Sequence, residues 1–138
     1  MGLAVAGSWE SLGVTDDVTV YRKQESGTDL FAFKGESTSS LSVAQLMAVL
    51  QTESIAPEWV NMMIFSTAVE RYSANHVLVH QGYDLPWPVS DRDYVFDKKI
   101  VYDAEKKVAT VHLTSVESSK VPVTDDFVRA KGERTFWQ

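Results

Sequence analysis

The stretch that most constrains this chain is Tyr94-Val95-Phe96-Asp97-Lys98-Lys99-Ile100-Val101-Tyr102. Alternate residues of a strand face opposite sides, so Tyr94, Phe96, Lys98, Ile100 and Tyr102 share one face and Val95, Asp97, Lys99, Val101 and Asp103 the other. The first face is aromatic with one ammonium in its middle, and a sheet carrying such a face needs cover. A lysine there is costly unless it is paired or reaches water. Two arrangements satisfy it. Lys98 lines a cavity and meets a ligand atom or a buried carboxylate, or it snorkels to the sheet edge while only its methylenes pack.

Short alternating segments recur elsewhere and make the chain mainly β. Val18–Arg22 and Leu30–Gly35 read as a hairpin turning through Glu25-Ser26-Gly27. The period then changes. Ser42 and Gln45 have capping-box spacing and Leu41 and Leu46 that of a hydrophobic staple. Val43, Leu46, Met47 and Leu50 follow at i, i+3, i+4 and i+7, so a helix of about ten residues carries an apolar face to lay on the sheet. Pro57 stands where a short helix would start, with Trp59, Met62 and Met63 covering one side. Ala68–Ser73 and His76–Gln81 read as a second hairpin turning at Ala74-Asn75. Tyr94–Tyr102 and Val108–Val116 read as a third, across a polar Asp103–Lys107 loop, and Phe127–Lys131 reads as a further strand.

At 138 residues the chain has the size of one domain, and its 44% hydrophobic and 23% charged composition is that of a globular protein. It has no cysteine, which removes disulfides, thiolate nucleophiles and zinc ribbons. A net charge of −6 with scattered basic residues argues against nucleic acid and favours an uncharged or apolar partner. No apolar run approaches the ~18 residues of a transmembrane segment, so the chain reads as soluble. Residues 1–8 read as a flexible leader or, through the small-x-small run Ala4-Val5-Ala6, as the remnant of an export signal. The address stays open between the cytoplasm and, if that run ends a signal peptide, the periplasm.

Catalytic constellations are missing from the pattern. His76 and His80 share a strand face but would stand ~13 Å apart, too far to share a metal ion, and His112 lies on the polar face of its strand. Asp16-Asp17, Asp91, Asp93 and Asp125-Asp126 are expected in turns, where carboxylates cap backbone donors. No glycine-rich phosphate loop is present, and no metal or cofactor is expected. The segment Tyr83–Tyr94 is different. Pro86 and Pro88 hold it extended, and Trp87 between them is either buried or deliberately exposed. Ser90-Asp91-Arg92-Asp93 sets a guanidinium between two carboxylates, suited to pinning the loop by charge-assisted bonds. Trp87, Asp91, Arg92 and Asp93 are therefore expected to be loop-structural.

The run Leu85-Pro86-Trp87-Pro88-Val89-Ser90-Asp91-Arg92-Asp93-Tyr94-Val95 resembles the loop-to-strand signature of the START family, the lipid-transfer domains related to steroidogenic acute regulatory protein, and is closest to its bacterial members. Trp9-Glu10, the Val18–Arg22 strand, Phe33-Lys34-Gly35, the helix after Ser42, Pro57-Glu58-Trp59 and Phe127-Val128-Arg129 agree in order. The resemblance implies an α+β helix-grip fold of the START and Bet v 1-like kind, a curved antiparallel sheet with helices around an apolar tunnel for one lipid or sterol and no cofactor. Lys98 falls where several family members have a basic residue inside the tunnel. A START domain normally continues by about a third into further strands and a C-terminal lid helix. The expectation is thus a single domain over 1–138 that is incomplete at its C-terminus, its C-terminal helix absent.

The function expected is binding or transport of a hydrophobic small molecule, with Tyr94, Phe96, Lys98, Ile100 and Tyr102 as ligand-binding residues and no catalysis. Two alternatives stay open. The wider superfamily includes cyclase- or hydrolase-like enzymes of aromatic and polyketide substrates, which would need a convergent acid and base. An incomplete domain could also be an interaction fragment that forms a homo-oligomer through its open sheet.

Overall fold

A computed structural model describes residues 7–132 and 135–138. The chain divides into two compact units, the first ending at Ser40 and the second running from Leu41 to Gln138. The Ala4-Val5-Ala6 run lies outside the described residues.

The first unit is a three-stranded antiparallel sheet of β1 (Glu10–Thr15), β2 (Val18–Gln24) and β3 (Phe31–Glu36), in that order. The expected hairpin is β2–β3. Strand β1 was not expected, because the register shifts between Ser11 and Gly13 and Gly13 takes φ +113°, which breaks the alternation that marks a strand. Asp16 and Asp17 both have positive φ, the geometry a two-residue hairpin turn demands and Asp tolerates. On one side of this sheet the Trp9 ring receives the ammonium groups of Lys23 and Lys34 at 5.1 and 5.0 Å.

The second unit contains α1 (Val43–Gln51), a 3₁₀ helix (Glu53–Glu58), and the strands β4 (Met63–Ser73), β5 (His76–Tyr83), β6 (Arg92–Asp103), β7 (Val108–Ser115), β8 (Val128–Arg129) and β9 (Thr135–Trp137). The sheet runs β4-β5-β6-β7-β9, and β8 lies parallel to the first two residues of β6. The capping box is formed as expected: Ser42 Oγ accepts from Gln45 N at 3.2 Å, and Gln45 Oε1 accepts from Ser42 N at 2.9 Å.

Four expectations need correcting. Pro57 does not open a helix. The chain passes from the α1 cap Thr52 directly into the 3₁₀ helix, where Ile55 N already donates to Thr52 O, so Pro57 falls inside it. Strand β4 begins at Met63 rather than Ala68, and three register shifts against β5 disguise its period. The expected strand over Phe127–Lys131 is only two residues long, Val128–Arg129, and Phe127 before it meets the Phe65 ring edge-on at 5.8 Å. The apolar face of α1 does not lie flat on the sheet. Val43 and Leu46 remain exposed, and it is the last turn, through Val49 and Leu50, that closes over the interior.

Both faces of the central strands are covered. Val77 and Val79 of β5, Phe96 of β6, and Val111 and Leu113 of β7 fill the inner face. On the outer face Leu78 and Val95 pack with Val121 from the segment after β7, flanked by Val69. That segment is tied down by Arg129, whose Nε and Nη2 donate to the two Asp93 carboxylate oxygens at 2.8 and 3.0 Å while its other donors reach Val121 O and Pro122 O. His80 Nε2 adds a third contact to Asp93 at 2.8 Å.

Candidate ligand cavity

The inner face of the second unit forms a half-open cavity of about 420 Å³, within the range of small-molecule sites. Its roof comes from Val49 and Leu50 of α1, then Ala56, Trp59 and Val60. Its floor is the β4–β7 sheet, where Met63, Tyr94, Phe96, Val111 and Leu113 face inward, and Trp137 closes one side. Strand parity explains this lining. Tyr83, Gln81, Val79 and Val77 stand opposite Arg92, Tyr94, Phe96 and Lys98 across β5 and β6, so all eight point to one side. The aromatic rings form a run, with Tyr83 edge-on to Tyr94 at 5.6 Å and Tyr94 stacked on Phe96 at 5.2 Å. Trp59 meets Trp137 edge-on at 5.6 Å.

Polar groups in the wall are arranged in two sets. At one end Lys98, 7% exposed, donates to the Leu50 carbonyl and reaches Glu53 Oε1 at 3.2 Å. The other Glu53 oxygen holds Arg71 Nη2 at 2.5 Å. The ammonium is thus answered by the end of α1 and the start of the 3₁₀ helix, a carboxylate partner rather than a sheet-edge escape. Along the floor Gln81 Nε2 donates to Ser66 Oγ at 3.4 Å, and Tyr83 donates its hydroxyl to Gln81 Oε1 at 3.3 Å. Burial, together with the neighbouring Tyr94, pushes the Tyr83 phenol up to about 12, so it stays a donor at neutral pH.

Of the five residues expected to bind ligand, Tyr94, Phe96 and Lys98 line the cavity. Ile100 is buried on the same face but beyond the cavity, where its N–H donates to Asn75 O at the β4–β5 turn. Tyr102, 57% exposed, lies where β6 overruns the cavity. The loop residues separate. Trp87 is 92% exposed, and Asp91 Oδ1 accepts from Leu85 N at 3.1 Å. The partner of Asp93 is Arg129, not Arg92. Adjacent strand residues face opposite ways, so Asp93 points outward while Arg92 joins the cavity wall. Sequence reading missed Glu53, Gln81, Tyr83 and Arg92 as wall residues. The parity applied to β6 would have found the last three had it been carried across to β5 and to the start of β6. Among the described residues no cluster of three or more His, Asp or Glu could hold a metal ion, and no helix is long and apolar enough to cross a membrane.

The START domain family matches residues 1–133. StAR-related lipid transfer protein 7, mitochondrial, of Mus musculus is 26% identical over 126 residues, covering 89% of this chain and 34% of that protein. Its Homo sapiens counterpart is 25% identical over the same length. The chain therefore spans about a third of the length of the curated relatives it matches. Among solved structures, a STAR-related lipid transfer protein (fragment 25–204) from Xanthomonas axonopodis superposes with a TM-score of 0.83 at 21% identity, covering 94% of this chain and 71% of that one. Human STARD10 superposes at 0.80 and 20% identity, covering 93% and 52%. The lipid transfer and protein localization domain of human StarD13 (DLC2) superposes at 0.82 and 18%, covering 94% and 68%. The α+β helix-grip fold is thus established, with bacterial and mammalian proteins alike among its neighbours. A family match over nearly the whole sequence, on that fold, means that this chain belongs to the START domain family.

Proposed function

We propose that this chain binds and carries a hydrophobic small molecule, lipid- or sterol-like, in the cavity of its second unit. The observation that carries the reading is a wall of aliphatic and aromatic side chains in which, among the described residues, no buried side-chain polar atom lacks a partner. Such a cavity offers apolar area to a guest, its fully buried polar atoms being already satisfied by protein partners. The names of the relatives, lipid transfer proteins, support the same reading. Tyr94, Phe96 and the methylenes of Lys98 would contact the guest directly. A cyclase- or hydrolase-like reading fares worse, because Glu53, the one carboxylate among the described wall residues, is held by both Lys98 and Arg71.

Self-association is a second reading, favoured by the large apolar side chains Leu46, Trp59, Phe136 and Trp137 that stay exposed on the second unit. Native mass spectrometry of the purified protein addresses both. A co-purifying mass that an apolar fluorescent probe displaces is expected, and the same spectrum gives the subunit number. A well-folded protein that is empty and indifferent to sterols, fatty acids and phospholipids would overturn the carrier reading.

A further inference from the structure

The two cations of the β6 wall differ in how they are satisfied. Lys98 is closed off by Glu53 and the Leu50 carbonyl. Arg92 lines the same cavity six residues earlier on the strand, yet among the described residues its guanidinium has no hydrogen-bond or ion-pair partner. The flanking carboxylates are engaged elsewhere, Asp91 with the Leu85 N–H and Asp93, on the opposite face, with Arg129 and His80. Directly opposite Arg92 in the β5–β6 register stands Tyr83. Its hydroxyl remains protonated and, among the described residues, is engaged by one long bond to Gln81. Lys131, largely exposed, adds a third donor at the rim of the same cavity.

We infer that the guest is an amphiphile with an acidic head, a carboxylate or a phosphate, whose oxygens are bound by Arg92 and the Tyr83 hydroxyl. This rests on the carrier reading above and sharpens it. A guanidinium presents paired donors that match the paired oxygens of either acid, and the cross-strand tyrosine supplies a further one. The hydrocarbon part would run along Tyr94 and Phe96 toward Lys98, which at strand rise lies ~20 Å from Arg92. At that end the charge is already answered, so a second anion would find no free cation there. The cavity is thereby polarised along β6, acid-seeking at its start and hydrocarbon-seeking beyond.

The test compares palmitate, hexadecyl phosphate and hexadecanol, each below its micellar concentration, by displacement of a bound fluorescent probe. Wild type is expected to prefer an acid over the alcohol by about tenfold, and Arg92→Met to reduce that preference to about threefold or less. Arg92→Lys should keep part of the preference. Which acid binds better distinguishes a fatty acid from a phosphate monoester as the source of the head group. Equal affinity of wild type for acids and alcohol overturns the inference, as does an Arg92→Met protein whose preference is intact. The wild-type comparison decides the matter even if Arg92→Met fails to fold. Binding of hexadecanol alone sinks only the acidic head, whereas binding of none of the three sinks the carrier reading as well.

Discussion

Glu53 Oε1 lies 3.2 Å from Lys98 Nζ, and both residues are 7% exposed. The two partners are not equivalent. Glu53 keeps Arg71 if Lys98 is removed, whereas Lys98 keeps only the Leu50 carbonyl if Glu53 is removed.

Removing the carboxylate should therefore cost more than removing the ammonium. Glu53→Ala is expected to destabilise by about 3 kcal/mol, because it strands a buried cation, and Lys98→Met by about 1 kcal/mol or less. Urea titrations of the two variants check the order. Equal midpoints would mean that Arg71 does not hold Glu53 in place.

Asp93 gives the chain an acid-sensitive tie. Burial pushes its carboxyl up, but the hydrogen bonds from Arg129 and then His80 outweigh burial and hold it below its ordinary value. A carboxyl depressed in the folded state contributes stability that is fully present above its unfolded value of about 3.9 and is lost as pH falls through the lower folded value. Asp93→Asn should lower the melting temperature at neutral pH and flatten its fall in acid. Parallel acid limbs for the two proteins would show that the tie carries no linkage.

Gly82 is required by a ring. A Cβ built there would lie 2.2 Å from Phe65 Cε1, and Phe65 is fixed edge-on to His80 at 4.9 Å and to Phe127 at 5.8 Å. Gly82→Ala should cost about 1–3 kcal/mol through overpacking. Adding Phe65→Val should recover part of that loss, giving a non-additive double-mutant cycle. Strict additivity would place the strain elsewhere.

The tryptophans should report differently on a guest. Trp59 and Trp137 are in the cavity wall and Trp87 is 92% exposed outside it. Trp59→Phe should reduce the change in intrinsic fluorescence on adding palmitate, and Trp87→Phe should leave that change intact. Trp87→Ala should also keep thermal stability within about 0.5 kcal/mol of wild type, as for an uncontacted surface residue. A large loss on Trp87→Ala would mean that its loop is held through the indole.

Much of this was legible where period and chemistry coincide. Ser42 and Gln45 announced α1, and the alternation from Tyr94 to Phe96 to Lys98 announced the cavity floor. Legibility failed where a local device interrupts the period. Gly13 hid β1, and the register shifts of β4 hid its first half. The site failed in another way. Glu53 meets Lys98 across 45 residues of sequence and Arg129 meets Asp93 across 36, and no local pattern encodes such a distance. Arg92 looked paired because its neighbours in sequence are carboxylates, but a strand sends neighbours to opposite faces.

The irregular register of β4 bears on how this edge of the sheet meets a neighbouring chain. Among the described residues β4 has no strand on its far side, so it is one rim of the second unit's sheet. A long flat rim is a template for strand addition from a neighbouring chain, and bulges twist it out of register for such growth. With that rim bent, backbone-to-backbone accretion along β4 is disfavoured, even though apolar rings stand exposed nearby.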